Sequence, residues 1–182
     1  MKVTESGIKG AYTIEPDVYI DDRGFFMETF HNERYRKLLG INLNFVQDNI
    51  SRSSKNVLRG MHFQKNYPQG KIVSASRGEI LDVVVDLRKD SPTYGTWESF
   101  RLSEKNKLQV WIPPGFAHGF LVLSDFADLH YKISGIYNPT DEGGLLWNDP
   151  DVGIEWPSTN FIVNQRDSNF PKFNQLSSKN TL

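Results

Sequence analysis

The sequence predicts an all-β fold. Short runs of β-branched and aromatic residues recur, separated by Gly, Pro, Asn and Ser turn signals at close spacing. Several runs alternate apolar and polar residues with period two, the pattern of a strand with one wet face. Helical patterning is scarce. This rhythm fits a β-sandwich, jelly roll or barrel with a few short peripheral helices.

Each element follows from its residues. Asn32–Leu39 opens with Asn32 as N-cap candidate and stops before Gly40, so it reads as a short surface helix. Lys71–Ser76 is a strand that ends near Gly78, and the β-branched run Glu79–Leu87 is a half-buried strand. Trp97–Leu102 alternates, as does Leu108–Ile112, which stops at Pro113-Pro114. Phe120–Leu123 and Ala127–Ile133 are strands; Asn138–Gly144 is a loop by composition. From Asn174 the chain is rich in Ser, Asn and Lys and is expected to fray. No repeat or linker divides the 182 residues, so the expectation is one domain over 1–182, with 174–182 a tail.

Bulk properties narrow the function. A net charge of −1 argues against a nucleic-acid binder with a broad cationic face, while leaving room for a local basic pocket. Cysteine is absent, which removes disulfides, zinc–thiolate sites and cysteine nucleophiles. Met1–Ser6 lacks a signal-peptide core and no run of about 18 apolar residues occurs, so a cytoplasmic protein with no membrane partner is expected.

Two of the four histidines sit in Gly- and aromatic-flanked blocks, Arg59-Gly60-Met61-His62-Phe63-Gln64 and Pro113-Pro114-Gly115-Phe116-Ala117-His118-Gly119-Phe120. Histidine titrates near neutral pH and suits either proton transfer or metal binding. On a strand His62 and Gln64 share one face. Pro113-x-Gly115-x-x-His118 matches the second signature of the cupins, but the first block offers one histidine and an amide, a poor ligand set for a transition metal. Proton transfer is therefore the leading reading and a metal cupin the minority one. Tyr131, on the 127–133 strand, is a proton-donor candidate. Asp167 is a carboxylate that could orient an imidazole, and Lys71 a cation that could steady an oxyanion. By residue type alone, each is equally an ordinary barrel tyrosine, a solvated tail acid or a surface lysine. Aromatics interleaved with Arg23, Glu28, Gln47 and Asn49 would suit a planar base and a sugar, or an edge strand of mixed character.

Taken together, Asp22-Arg23-Gly24-Phe25-Phe26-x-Glu28, Gln47-Asp48-Asn49, Leu58–Gln64, Gly70–Val73, Arg77-Gly78-Glu79-Ile80-x-Asp82-Val83-x-Val85-Asp86, the His118 block and Tyr131-Lys132 resemble the dTDP-4-dehydrorhamnose 3,5-epimerase family over roughly residues 1–173. The resemblance implies a cupin-type jelly roll, a homodimer, and a site that works without metal or organic cofactor. It implies conversion of dTDP-4-dehydro-6-deoxy-D-glucose to dTDP-4-dehydro-L-rhamnose, with single-centre epimerisation of a related keto sugar as the alternative. A non-catalytic sugar-nucleotide binder is a further alternative. On this basis His62 is the base, Asp167 its orienting carboxylate, Tyr131 the acid and Lys71 the enolate-stabilising cation. Arg23, Phe26, Glu28, Gln47, Asp48, Asn49, Arg59, Gln64, His118, Glu142 and Arg166 match substrate-contacting positions. Arg166 departs from the lysine common there, Ser74 and Ala75 are smaller than usual, and His130 is unusual beside Tyr131; alternation points His130 away from the cavity.

Overall fold

Strict alternation along the strands gives each one a face toward a shared interior and a face toward a covering layer. The structure, a computed structural model, describes residues 1–176. In chain order the strands are β1 (Lys2–Glu5), β2 (Tyr12–Glu15), β3 (Val18–Asp21) and β4 (Gly24–Met27). Helix α1 (Asn32–Leu39) follows, then β5 (Gln47–Ser54), β6 (Leu58–Gln64), β7 (Lys71–Arg77) and β8 (Glu79–Asp86). Next come β9 (Trp97–Ser103), β10 (Gln109–Ile112), β11 (Phe116–Val122), β12 (Phe126–Ile133), β13 (Glu142–Gly144) and the one-turn helix α2 (Gln165–Ser168). A six-stranded sheet in the order β1-β2-β10-β7-β12-β5 faces a five-stranded sheet in the order β13-β6-β11-β8-β9. All their strand pairs are antiparallel. Strands β3 and β4 form a separate hairpin. This is the jelly-roll architecture expected.

Three apolar layers hold the sheets. Val73, Ile80, Val84, Phe120 and Leu129 fill one part of the interior between them. The opposite-parity residues of β8 and β11, such as Leu81, Val83, Val85 and Leu121, lie on the outer face of the five-stranded sheet beneath Trp147, Trp156, Phe161 and Leu176. Ile14, Ile72 and Trp111, on the outer face of the other sheet, are covered by Tyr35 and Leu39 of α1 with Phe30 and Phe45 beside them. With both faces dry, β8 and β11 are buried at nearly every position. Their sequences therefore read as continuous apolar runs more than as alternation. No helix among the described residues is long and apolar enough to cross a membrane.

Some expectations change. The N-cap of α1 is His31, whose Nδ1 accepts from Arg34 N–H at 3.3 Å, so Asn32 is the first helical residue. Gly40 ends the helix as expected, in a left-handed conformation. His118 lies within β11, which begins at Phe116 and not at Phe120, because Pro113-Pro114 stop β10 and the turn is complete by Gly115. Within the expected loop 138–144, Glu142–Gly144 pair with β6 as β13. The expected fraying from Asn174 does not hold at its start: Phe173–Gln175 form a 3₁₀ turn and Leu176 is buried, because Asp149 accepts from Phe173 N–H at 2.8 Å. Residues 177–182 of that expected tail lie outside the described residues.

One irregularity positions the site. His118 pairs with His62, but Phe120 pairs with Arg59, so Gly60 and Met61 of β6 oppose Gly119 alone on β11. Leu58 stays on the outer face, yet both Arg59 and His62 line the interior cavity. Gly60 sits at the bulge with φ +122°, and a Cβ there would lie 2.5 Å from Gly119 Cα. Gly60→Ala is therefore expected to cost about 1–3 kcal/mol of stability, seen as a lower denaturant midpoint with an unchanged m-value.

Candidate active site

The interior is apolar at one end and polar at the other. The polar end opens as two adjoining lobes of about 190 and 250 Å³, which share His62, Lys71, Tyr131, Tyr137 and Glu142. The first also takes Gln47, Asn49, Gln64 and Gln69; the second takes Ser51, Arg59, His118 and Arg166. Such a volume and lining suit a small polar ligand. Alternation explains the set. Gln47, Asn49 and Ser51 are the inward positions of β5, and Tyr131 and Ile133 those of β12. His62 therefore projects from the five-stranded sheet toward Tyr131 and Lys71 on the six-stranded one.

His62 is held on three sides. Its Nε2 lies 3.0 Å from Asp167 Oδ1. A carboxylate only accepts, so Nε2 carries the proton and Nδ1 is left as the basic nitrogen. Asp167 is fully buried and its other oxygen accepts from Gly60 N–H at 2.9 Å. Asn164 caps α2 by accepting from Asp167 N–H at 2.7 Å, which fixes the acid's backbone. Burial pushes the Asp167 carboxyl up, but the hydrogen bonds from His62 and Gly60, with Arg166 beside it, outweigh this and hold it below the usual carboxylate range. Phe170 stands edge-on to the imidazole at 5.6 Å and packs where a side chain at Gly144 would otherwise sit.

Arg166 joins this pair to Glu142. Its Nη1 lies 2.6 Å from Glu142 Oε2, its Nε 3.2 Å from Asp167 Oδ1 and its Nη2 3.2 Å from His62 Nε2. The last is an approach of two donors and not a hydrogen bond. Tyr137 O–H donates to the same Glu142 oxygen at 2.9 Å. Gln64 is tied to Asn138 by two bonds, Nε2 to the carbonyl at 3.1 Å and Oε1 from the N–H at 3.2 Å. Gln47 donates to Asn49 at 2.8 Å, and Arg59 donates to Ser53 at 3.0 Å.

The second histidine has its own acid: His118 Nε2 lies 2.7 Å from Asp82 Oδ1. Burial lowers His118, against the opposing pull of Asp82. Burial also pushes the Lys71 ammonium down to about 8, against the fields of Asp82 and Glu142. The Tyr131 phenol is raised by burial, with Arg59 pulling the other way. His62 and His118 are cross-strand neighbours, but each turns Nε2 to a carboxylate. Among the described residues no group of three or more His, Asp or Glu converges as metal donors. The donor set does not fit the metal reading.

Four of the expected substrate contacts are not in this cavity. Asp48 has outward parity on β5 and pairs with Lys132 at 2.5 Å on the far face of the sheet, a correction that the two-residue period explains. Arg23, Phe26 and Glu28 sit on or just after the β3–β4 hairpin; Arg23 is exposed against Asp21, and Glu28 pairs with Arg34 at 2.7 Å. The aromatic cluster and the Gln47–Asn49 segment thus do not share one surface within the chain. His130 faces away from the cavity, as alternation expects, beside Ser74, Phe25 and Phe26. Sequence reasoning missed Gln69, Tyr137 and Asp82 as site residues. Asp82 had a legible signal, a charged residue in the middle of the apolar run Ile80–Val85. Tyr137, on an irregular loop, had none.

The model of the family described as dTDP-4-dehydrorhamnose 3,5-epimerase matches residues 5–175. The chain is 50% identical over 169 residues to the dTDP-4-dehydrorhamnose 3,5-epimerase of Methanothermobacter thermautotrophicus, covering 91% of each. It is 50% identical over 158 residues to that of Salmonella typhimurium, covering 86% of each. The solved structure of a dTDP-6-deoxy-D-glucose-3,5-epimerase from Legionella pneumophila, in complex with dTDP-4-keto-L-rhamnose, superposes with a TM-score of 0.96 at 45% identity, over 99% of this chain and 96% of that one.

The lowered Asp167 carboxyl links the site to stability. Its contribution is present above the unfolded-state value of about 3.9 and is lost as pH falls through the lower folded-state value. Unfolding free energies measured from about pH 5 down to about pH 2 should fall less steeply for Asp167→Asn than for the native chain, with Asp167→Asn the less stable at pH 5.

Proposed function

This chain belongs to the dTDP-4-dehydrorhamnose 3,5-epimerase family, and on that premise we propose that it epimerises dTDP-4-dehydro-6-deoxy-D-glucose at C3 and C5 to dTDP-4-dehydro-L-rhamnose through an enolate. One observation carries the assignment of roles: His62 and Tyr131 stand on opposite walls of a single cavity that also holds Lys71.

Hydrogens on C3 and C5 are acidic because each carbon adjoins the C4 carbonyl. His62 Nδ1 takes one of them as a proton, and the electron pair moves onto the C4 oxygen. Asp167 stabilises the resulting imidazolium and keeps the ring's orientation. The Lys71 ammonium stabilises the developing oxyanion from within the cavity, and such an interaction is strongest away from bulk water. Tyr131 O–H then delivers a proton to the opposite face of the carbon, and the enolate collapses to the inverted ketone. The cycle leaves His62 protonated and Tyr131 ionised; exchange with water resets both, and so carries solvent hydrogen into the product. Burial keeps Tyr131 protonated at neutral pH, the form needed in a donor. Arg59, His118, Glu142 and Arg166 in one lobe, and Gln47, Asn49 and Gln64 in the other, supply polar and charged groups for the sugar and the diphosphate.

The same proposal includes a homodimer in the cytoplasm. Tyr19 (64%), Ile20 (80%), Phe25 (60%) and Phe26 (69%) are exposed on the β3–β4 hairpin, an apolar surface that a lone chain leaves in water. Arg23, Phe26 and Glu28, which match substrate-contacting positions yet lie outside this chain's own cavity, serve in this reading the cavity of a second copy. Asp48 keeps no substrate role in this reading.

Turnover in deuterated water followed by NMR is expected to place deuterium at C3 and C5. His62→Ala should lower that exchange about 10²–10⁴-fold, whereas Tyr131→Phe should keep some exchange and lose inverted product. Retained exchange in His62→Ala would remove His62 as the base. For the hairpin, Arg23→Ala should raise the KM about tenfold or more with a smaller change in kcat, the signature of a lost charge-assisted contact to a phosphate. An unchanged KM would reject the shared site, as would a chain that remains monomeric by light scattering.

A further inference from the structure

The mechanism leaves a fully buried carboxylate beside the cavity without a task. Asp82 is fully buried on the inward face of β8. One oxygen meets His118; the other, Oδ2, is the one buried side-chain polar atom without a hydrogen-bond partner among the described residues. An orphaned buried oxygen is costly, and its persistence calls for a physical reason. The groups around it supply one. Lys71, half-buried and reaching in from the facing sheet, makes no side-chain hydrogen bond or ion pair among the described residues, and the charges of Asp82 on β8 and Glu142 on β13 favour its ammonium form. Around the same space stand His118 from β11, His62 from β6 and Tyr131 from β12. Glu142 cannot hold the ammonium alone, because its carboxylate is already shared with Arg166 and Tyr137. Of the two carboxylates, Asp82 is the one with no arginine or lysine paired to it among the described residues.

We propose that Asp82 is a positioning residue: one oxygen fixes His118, and the unpaired charge of the other, on the inner wall opposite the sheet that carries Lys71, keeps the Lys71 ammonium charged for the carbonyl oxygen of the bound keto sugar. This rests on the reading of Lys71 as the group that stabilises the enolate. A neutral amine could not do so, and burial drives Lys71 toward that form. The orphaned oxygen is thus the cost of an acid that serves two partners, and it is carried by a residue that touches no substrate.

The test is the pH dependence of kcat in Asp82→Asn, whose amide oxygen can still accept from His118 while the charge is gone. The native kcat is expected to fall on a basic limb as Lys71 loses its proton; in Asp82→Asn that limb should move down by about one pH unit, so that kcat at pH 8 falls about fivefold, while dTDP affinity stays within about twofold of native. A basic limb at the native position overturns the proposal. So does a parallel loss of dTDP affinity and kcat with no shift of the limb, which marks a merely structural residue. Lys71→Met separates the two readings. If it keeps native deuterium exchange, the enolate role of Lys71 fails; if it loses exchange while Asp82→Asn keeps its basic limb, only the Asp82 proposal fails. Should Asp82→Asn not fold, the D82N/H118N double variant replaces the whole pair, and NMR titration of lysine-labelled native protein gives an independent reading. A native Lys71 half-neutral below about pH 7 would overturn the proposal without any variant.

Discussion

The contact between His62 and Asp167 joins residues 105 apart in the chain and organises much of what surrounds it. A fully buried carboxylate must be surrounded by donors or lose its charge. Asp167 finds them in the imidazole, the Gly60 N–H and Arg166. Satisfying that one acid fixes the tautomer of His62, ties the C-terminal segment to β6 and holds the backbone at the bulge. Phe170, just past α2, then packs on Gly144 and closes the ring in from the side.

The bulge matters because a strand presents alternate residues to alternate faces. Without the extra residue in β6, Arg59 and His62 would project from opposite faces of the sheet. With it, a guanidinium and an imidazole share the cavity, while Leu58 and Met61 remain in the outer apolar layer. The local irregularity costs the sheet little, because β11 and β13 continue the ladder on either side.

Inside the cavity, burial acts on acids and bases in opposite senses. It raises the tyrosine, lowers the lysine and would raise the buried aspartate, were that not held down by hydrogen bonds. A protonated phenol and a cation thus coexist near neutral pH within one small space. The apolar floor of Val84, Phe120 and Leu129 keeps water from levelling these differences.

The sequence by itself determined the fold class, the strands from β7 to β12, the helix Asn32–Leu39 and the residue types of the site. Period-two patterning, Gly and Pro turns and the His62 and His118 blocks are local properties, readable without coordinates. Alternation also placed His62 and Gln64 on one face and turned His130 away from the cavity; applied to Asp48, it would have removed that residue from the substrate set. What only the tertiary structure decided are relations between distant segments. The sequence could not pair Asp167 with His62 or Asp82 with His118, nor keep Leu176 buried within an apparent tail. It could not show that Arg23, Phe26 and Glu28 stand apart from the cavity. The reason is physical: hydrogen bonds and electric fields act over a few ångströms in space, and sequence spacing carries that information only within a strand or a turn.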